Sequence, residues 1–129
     1  MSEVALIGNG YLGQAYERVF TDALVYDEPK ELYAGQETLE AGRVAVNACD
    51  LALIAVPTDY KEDGTLDMSI VESVVDWCEA DTILIKSALQ PGTVDRLVEK
   101  TGKNIAVSVE LIGEGTYYQP PHKYPHPTD

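Results

Sequence analysis

Val4-Ala5-Leu6-Ile7-Gly8-Asn9-Gly10-Tyr11-Leu12-Gly13 joins a continuous apolar run to three glycines spaced G-x-G-x-x-G. Four apolar residues in a row suit a strand buried on both faces. Immediately afterwards the period changes. Leu12, Ala15, Tyr16, Val19 and Phe20 fall at i, i+3, i+4, i+7 and i+8, lining one face of a helix predicted to end near Thr21 and Asp22. A second short run, Ala23-Leu24-Val25-Tyr26, closes on Asp27. The order is strand, glycine turn, helix, strand, acid.

Each glycine has a physical task in that order. Gly8 makes the tight turn, Gly10 lets the backbone approach a pyrophosphate with no side chain in the way, and Gly13 lets the helix pack closely on the strand. Tyr11 and Leu12 sit inside the same turn, where free amides at the helix start face the phosphates. Asp27 lies 19 residues after Gly8, close to the ~20 expected of a carboxylate that accepts a hydrogen bond from a ribose 2′-hydroxyl. An acid there favours NAD over NADP, because it repels a 2′-phosphate.

Further along, Pro29, Gly35 and Gly42 interrupt the pattern, and residues 37–49 read either as one helix or as a short helix followed by a strand at Arg43-Val44-Ala45-Val46. Leu51-Ala52-Leu53-Ile54-Ala55-Val56 is another buried strand, ended by Pro57 and followed by a polar loop over residues 58–65. Asp67 is the expected cap of the next helix, with Ser69 and Glu72 in S-x-x-E spacing and Val71, Val74, Val75 and Cys78 as its apolar stripe. Thr82-Ile83-Leu84-Ile85 reads as a strand. Pro91-Gly92 opens a helix with Val94, Leu97 and Val98 inward and Gly102 at its end, and residues 104–109 supply the last strand. Strands alternating with helices in this rhythm call for an α/β fold, a parallel sheet with helices on both faces.

The 129 residues make one domain. Its expected limits are residues 1–115, with residues 116–129 as a proline- and tyrosine-rich tail or linker. That tail holds four of the seven prolines and both histidines, His122 and His126. The prolines keep these histidines off a helix, so their spacing argues against a metal site. Tyr117, Tyr118 and Tyr124 make it an aromatic arm suited to an interface, and a homodimer is expected.

Nine basic residues against 22 acidic leave a net charge of −13, which repels nucleic acid and anionic lipid. No apolar run reaches the ~18 residues of a membrane span. Met1-Ser2-Glu3 leads into the first strand with no basic signal-peptide start, so a cytoplasmic location is expected. Cys49 and Cys78 stand in apolar contexts and read as reduced core thiols. The same charge disfavours long-range capture of an anionic cofactor, so affinity has to come from local amides and from Lys30 or Lys86.

Four segments in order resemble one family, the UDP-glucose/GDP-mannose dehydrogenases: residues 4–13; Ile54-Ala55-Val56-Pro57-Thr58 with Glu62-Asp63-Gly64-Thr65-Leu66-Asp67; Ile85-Lys86-Ser87-Ala88-Leu89-Gln90-Pro91-Gly92-Thr93; and Val109-Glu110-Leu111-Ile112-Gly113-Glu114-Gly115. The second is similar to the family's V-P-T strand-and-loop signature, the third to K-S-T-x-x-P-G-T, the fourth to P-E-F-L-x-E-G. The resemblance implies a Rossmann-type, doubly wound parallel sheet that binds NAD, in enzymes that oxidise the C6 alcohol of a nucleotide sugar to a carboxylate. It implies that Val56, Pro57 and Thr58 lie near the dinucleotide and that Glu114 is a catalytic acid/base. Ala88 replaces the threonine of K-S-T, leaving Ser87 as the hydroxyl of that turn, and Val109 replaces a proline. Neither Cys49 nor Cys78 matches the family's C-terminal nucleophilic cysteine, and the UDP-binding domain is absent from these 129 residues.

Three functions fit: the cofactor-binding part of a nucleotide-sugar dehydrogenase; a minimal dehydrogenase with a nucleotide-sugar site completed at a subunit interface, using Glu114 with Lys86 or Ser87; and a non-catalytic scaffold. The first is expected.

Overall fold

The computed structural model describes residues 3–108. Ten elements alternate along them: β1 (Val4–Ile7), α1 (Tyr11–Glu17), β2 (Leu24–Asp27), β3 (Leu32–Tyr33), α2 (Leu39–Asn47), β4 (Leu51–Ile54), α3 (Ser69–Trp77), β5 (Thr82–Ile85), α4 (Thr93–Thr101) and β6 (Ile105–Val107). The strands form one sheet in the order β3-β2-β1-β4-β5-β6. Every neighbouring pair is parallel except β2 with β3.

The period of two along each strand divides the core between the faces. Ala5, Ile7, Ala52, Ile54, Ile83 and Ile85 point to one face, where Val46 of α2, Val71, Val74 and Val75 of α3 and Leu97 of α4 cover them. Leu6 and Leu53 point to the other, against Tyr16 of α1, with Leu12 and Phe20 at its margin. This is the doubly wound α/β arrangement that the alternating pattern predicts. From β1 the chain first adds β2 on one side and later returns to add β4 on the other. The reversal opens a crevice beyond the carboxyl ends of β1 and β4, where sheets of this kind bind ligands.

Several local expectations are corrected. Residues 39–47 form a single helix, with no strand at residues 43–46. Val46 is fully buried while Val44 is 70% exposed; a strand would have put both on the same face. Thr38 caps this helix by accepting a bond from the Ala41 amide at 3.1 Å. Helix α1 ends at Glu17 rather than near Thr21, although the Phe20 amide still bonds Tyr16 O at 2.9 Å.

The α3 N-cap is Met68, and the expected Ser69/Glu72 capping box does not form, because Ser69 is already the first residue of the helix; Glu72 pairs with Arg96 of α4. Asp67 still contributes at this end, accepting from the Ser69 amide at 2.9 Å. Val98 is 39% exposed and the inward positions of α4 are Thr93 and Leu97. The antiparallel edge strand β3 has no counterpart in the sequence pattern.

Glu114, the 116–129 tail with its histidines and tyrosines, and the dimer contact expected of it lie outside the described residues. Among the described residues, no helix is long and apolar enough to cross a membrane. No group of three or more His, Cys, Asp or Glu side chains among them is arranged to hold a metal ion.

Candidate cofactor site at the switch point of the sheet

Strand β1 runs straight into the glycine turn. The Gly8 amide donates to Tyr26 O at 2.8 Å, continuing the β1/β2 pairing by one residue. Gly8 has φ +101°, and a Cβ there would stand 2.4 Å from Ala55 O, so the turn lies directly against the end of β4. A Cβ on Gly13 would be 2.0 Å from Gly8 O, which packs the first turn of α1 onto the loop. Gly10 is different, for a Cβ there meets nothing within 4 Å. The first bond of α1 runs from the Gln14 amide to Gly10 O, so the amides of residues 11–13 precede the helical ladder.

The turn is strapped to the end of β2. Asp27 accepts from the Asn9 amide at 2.8 Å through Oδ2 and from the Lys30 amide at 3.1 Å through Oδ1. Lys30 Nζ donates to Asn9 O and, at 3.2 Å, to Asn9 Oδ1. The carboxylate is thereby fixed in orientation, and each oxygen keeps a lone-pair direction for another donor.

Opposite the glycine turn lie the ends of β4 and β5. Ser87 Oγ donates to Val56 O at 2.7 Å, tying the two loops together. Lys86 is only 7% exposed; its ammonium donates to Ser108 Oγ at 3.0 Å and stands 5.5 Å from the centre of the Tyr16 ring.

These walls enclose a cleft of about 930 Å³, within the ~300–1,000 Å³ common for small-molecule sites. Of the residues singled out in the sequence, Gly8, Gly10, Tyr11, Leu12, Asp27, Lys30, Val56, Pro57, Thr58 and Ser87 all line it. Gly13 does not line it; it is buried behind the turn and holds the helix in place.

Sequence reading missed part of the wall. Ser69, Ser73 and Trp77 of α3 line the cleft, and their i, i+4, i+8 spacing, adjoining the apolar stripe, was the available signal. A polar cluster at the far corner was also missed. Tyr26 OH donates to Glu28 at 2.6 Å, and Arg43 donates through Nε to Tyr26 OH at 3.1 Å and through Nη2 to Glu28 at 2.7 Å. The guanidinium lies 4.8 Å from the centre of the Trp77 ring. Burial, joined by the bond to Glu28, pushes the Tyr26 hydroxyl up to about 12. The hydrogen bond from Arg43, helped by that from Tyr26, holds the Glu28 carboxyl below the usual range.

Residues 30–116 match the UDP-glucose/GDP-mannose dehydrogenase family, NAD binding domain. The glycine turn precedes that span, so its assignment stands on the geometry above. GDP-mannose 6-dehydrogenase of Pseudomonas putida (strain KT2440) is 32% identical over 100 residues, covering 60% of this chain and 23% of that protein. The enzyme of the same name from Pseudomonas savastanoi pv. phaseolicola is 32% identical over 91 residues, covering 56% of this chain and 21% of the relative.

Two solved structures share the fold. A ternary complex of GDP-mannose dehydrogenase from Pseudomonas aeruginosa superposes with TM-score 0.65 at 20% identity, over 87% of this chain and 37% of that one. UDP-glucose dehydrogenase from Pyrobaculum islandicum superposes with TM-score 0.63 at 24% identity, over 90% and 37%. The chain thus spans under a quarter of the length of these two Pseudomonas sequence relatives.

Proposed function

The chain belongs to the UDP-glucose/GDP-mannose dehydrogenase family through its NAD-binding domain, and from that premise we propose that it is the cofactor-binding part of a nucleotide-sugar dehydrogenase. In this reading residues 8–13 cradle the NAD pyrophosphate and Asp27 accepts from the adenosine ribose. Val56, Pro57, Thr58 and Ser87 line the half of the cofactor that crosses the switch point toward β5. The observation that carries it is the open space at Gly10, which lies between two packed glycines and faces the cleft.

The residues present fit the cofactor. Backbone approaches the cleft without a side chain at Gly10, unladdered amides follow it, and an oriented carboxylate stands at the ribose end. Bound NAD supplies a two-electron hydride acceptor. The chain's own groups position it. Ser87 spends its proton on Val56 O, so toward a cofactor amide it acts as an acceptor. Lys86 lines the β5 end of the cleft, with its ammonium held on Ser108 Oγ beside the Tyr16 ring, and Ala88 places a methyl group where the resembled K-S-T turn carries a hydroxyl. Glu114 is the proposed acid/base for the nucleotide-sugar alcohol; its support is the P-E-F-L-x-E-G-like segment that follows β6 in the sequence.

Titration calorimetry of the 129-residue chain tests the reading, with NAD expected to bind more tightly than NADP. Equal or tighter NADP binding overturns the role of Asp27, and binding of neither dinucleotide overturns the site.

A further inference from the structure

The corner of the cleft at the end of β2 holds two acids and two bases. Asp27, Glu28 and Lys30 all line the cleft. Lys30 is turned to Asn9 O and Oδ1, which commits two of its donors to the glycine turn. Arg43 comes from α2 and is not itself part of the cleft wall, yet its contacts Tyr26, Glu28 and Trp77 all are. Its side chain is 33% exposed, so it stands just behind the wall and within reach of solvent.

We propose that the Glu28–Arg43 pair sets the choice between NAD and NADP, Glu28 holding the guanidinium away from the place a 2′-phosphate would occupy. The inference rests on the assignment of Asp27 to the adenosine ribose. A guanidinium is the group best shaped to take a phosphate, through paired N–H donors. Here two of its donor nitrogens, Nε and Nη2, are engaged by Tyr26 and Glu28. A 2′-phosphate entering this corner meets the Asp27 and Glu28 carboxylates, and to pair with Nη2 of Arg43 it has to displace Glu28. Neutralising Glu28 removes one repelling charge and reduces the charge-assisted bond to Nη2 to a weaker neutral one that a phosphate can displace, while the Tyr26 hydroxyl and the Trp77 ring keep Arg43 beside the corner. Glu28 is 42% exposed in its side chain, so the change opens no cavity.

The test is the dissociation constant of NAD and of NADP, at one fixed ionic strength, for the 129-residue chain and for Glu28→Gln, Arg43→Met and the double variant, with melting temperatures alongside. Glu28→Gln should tighten NADP by about tenfold, the order of one charge interaction in a partly screened site, and leave NAD within about twofold. Arg43→Met in the Glu28→Gln background should cancel the gain. Should Arg43→Met lower the melting temperature, Arg43→Lys, which keeps the charge and loses the fork, takes its place and should recover only part of the gain. Unchanged NADP affinity in Glu28→Gln overturns the proposal, as does a gain that survives loss of Arg43, since charge removal alone then explains it. Both outcomes leave the Asp27 assignment standing if the wild type still prefers NAD; a wild type that binds neither dinucleotide overturns the cofactor site and this inference together.

Discussion

Gly10 and Gly13 are three residues apart and have opposite surroundings. At Gly13 an added Cβ meets backbone, Gly8 O at 2.0 Å, with no flexible side chain to give way. At Gly10 the same atom enters open cleft, and the backbone there, φ −87° and ψ −152°, is extended and outside the left-handed region that favours glycine. Gly13→Ala is therefore expected to cost about 3 kcal/mol of stability, at the upper end of overpacking, measured by denaturant unfolding. Gly10→Val is expected to cost at most about 1 kcal/mol, because Gly10 is the N-cap of α1 and valine is a poorer cap, and to abolish NAD binding, because its branched side chain fills the space a pyrophosphate needs. Undiminished cofactor affinity in Gly10→Val would show that the turn is only structural. An unaltered midpoint in Gly13→Ala would show that α1 can lift off the turn at no cost. The two substitutions separate a packing glycine from an approach glycine, a distinction that the G-x-G-x-x-G spacing states only in general form.

At the scale of elements, legibility followed the length of the hydrophobic signal. Strands β1, β4 and β5 are apolar on both faces because helices cover both, and such runs stand out without any structure. Strand β3 has two residues, too few to alternate, and lies between Glu31 and Ala34, both at φ +56° without being glycine. Nothing in its composition marks it. Helix α2 was ambiguous because Val44 and Val46 suit a strand as well as a helix; what decides for helix is the start, where Thr38 caps, and the middle, where Gly42 sits against Tyr33 with no room for a Cβ, 2.8 Å from the Tyr33 Cβ. Thr38→Ala is accordingly expected to lower stability by about 1 kcal/mol, read from the denaturant midpoint, with NAD affinity unchanged because Thr38 does not line the cleft. No loss of stability would mean that packing over β3 alone holds the helix. The cleft wall was legible where it is backbone, at the glycines and the strand ends. It was harder to read where α3 contributes side chains and where Arg43 of α2 stands behind the wall, since Trp77 and Arg43 reach the site only through the packing of helices on the sheet.

At the scale of the whole molecule, the chemistry of the two thiols bears on how much of a nucleotide-sugar oxidation these residues can perform. Taking an alcohol to a carboxylate removes four electrons, and the resembled family passes its aldehyde stage through a cysteine adduct, for which a thiolate is needed. Cys49 and Cys78 are 2% and 0% exposed. Burial pushes the Cys49 thiol up, aided by the Asp50 charge, and burial likewise raises Cys78. Both are packed into the main core beside the sheet, and neither lines the cleft. They are therefore neutral, shielded thiols that contribute hydrophobic packing. The native 129-residue chain is expected to resist iodoacetamide at pH 8 and to take up two equivalents only after unfolding in urea, as mass spectrometry would show. Given NAD with UDP-glucose or GDP-mannose, it is expected to form no uronate. Rapid native alkylation of either cysteine would remove the shielding argument. Uronate formation that persists in the Cys49→Ser/Cys78→Ser variant would show that the chain completes the oxidation without a cysteine, and would overturn its assignment as the cofactor-binding part of a larger catalytic unit.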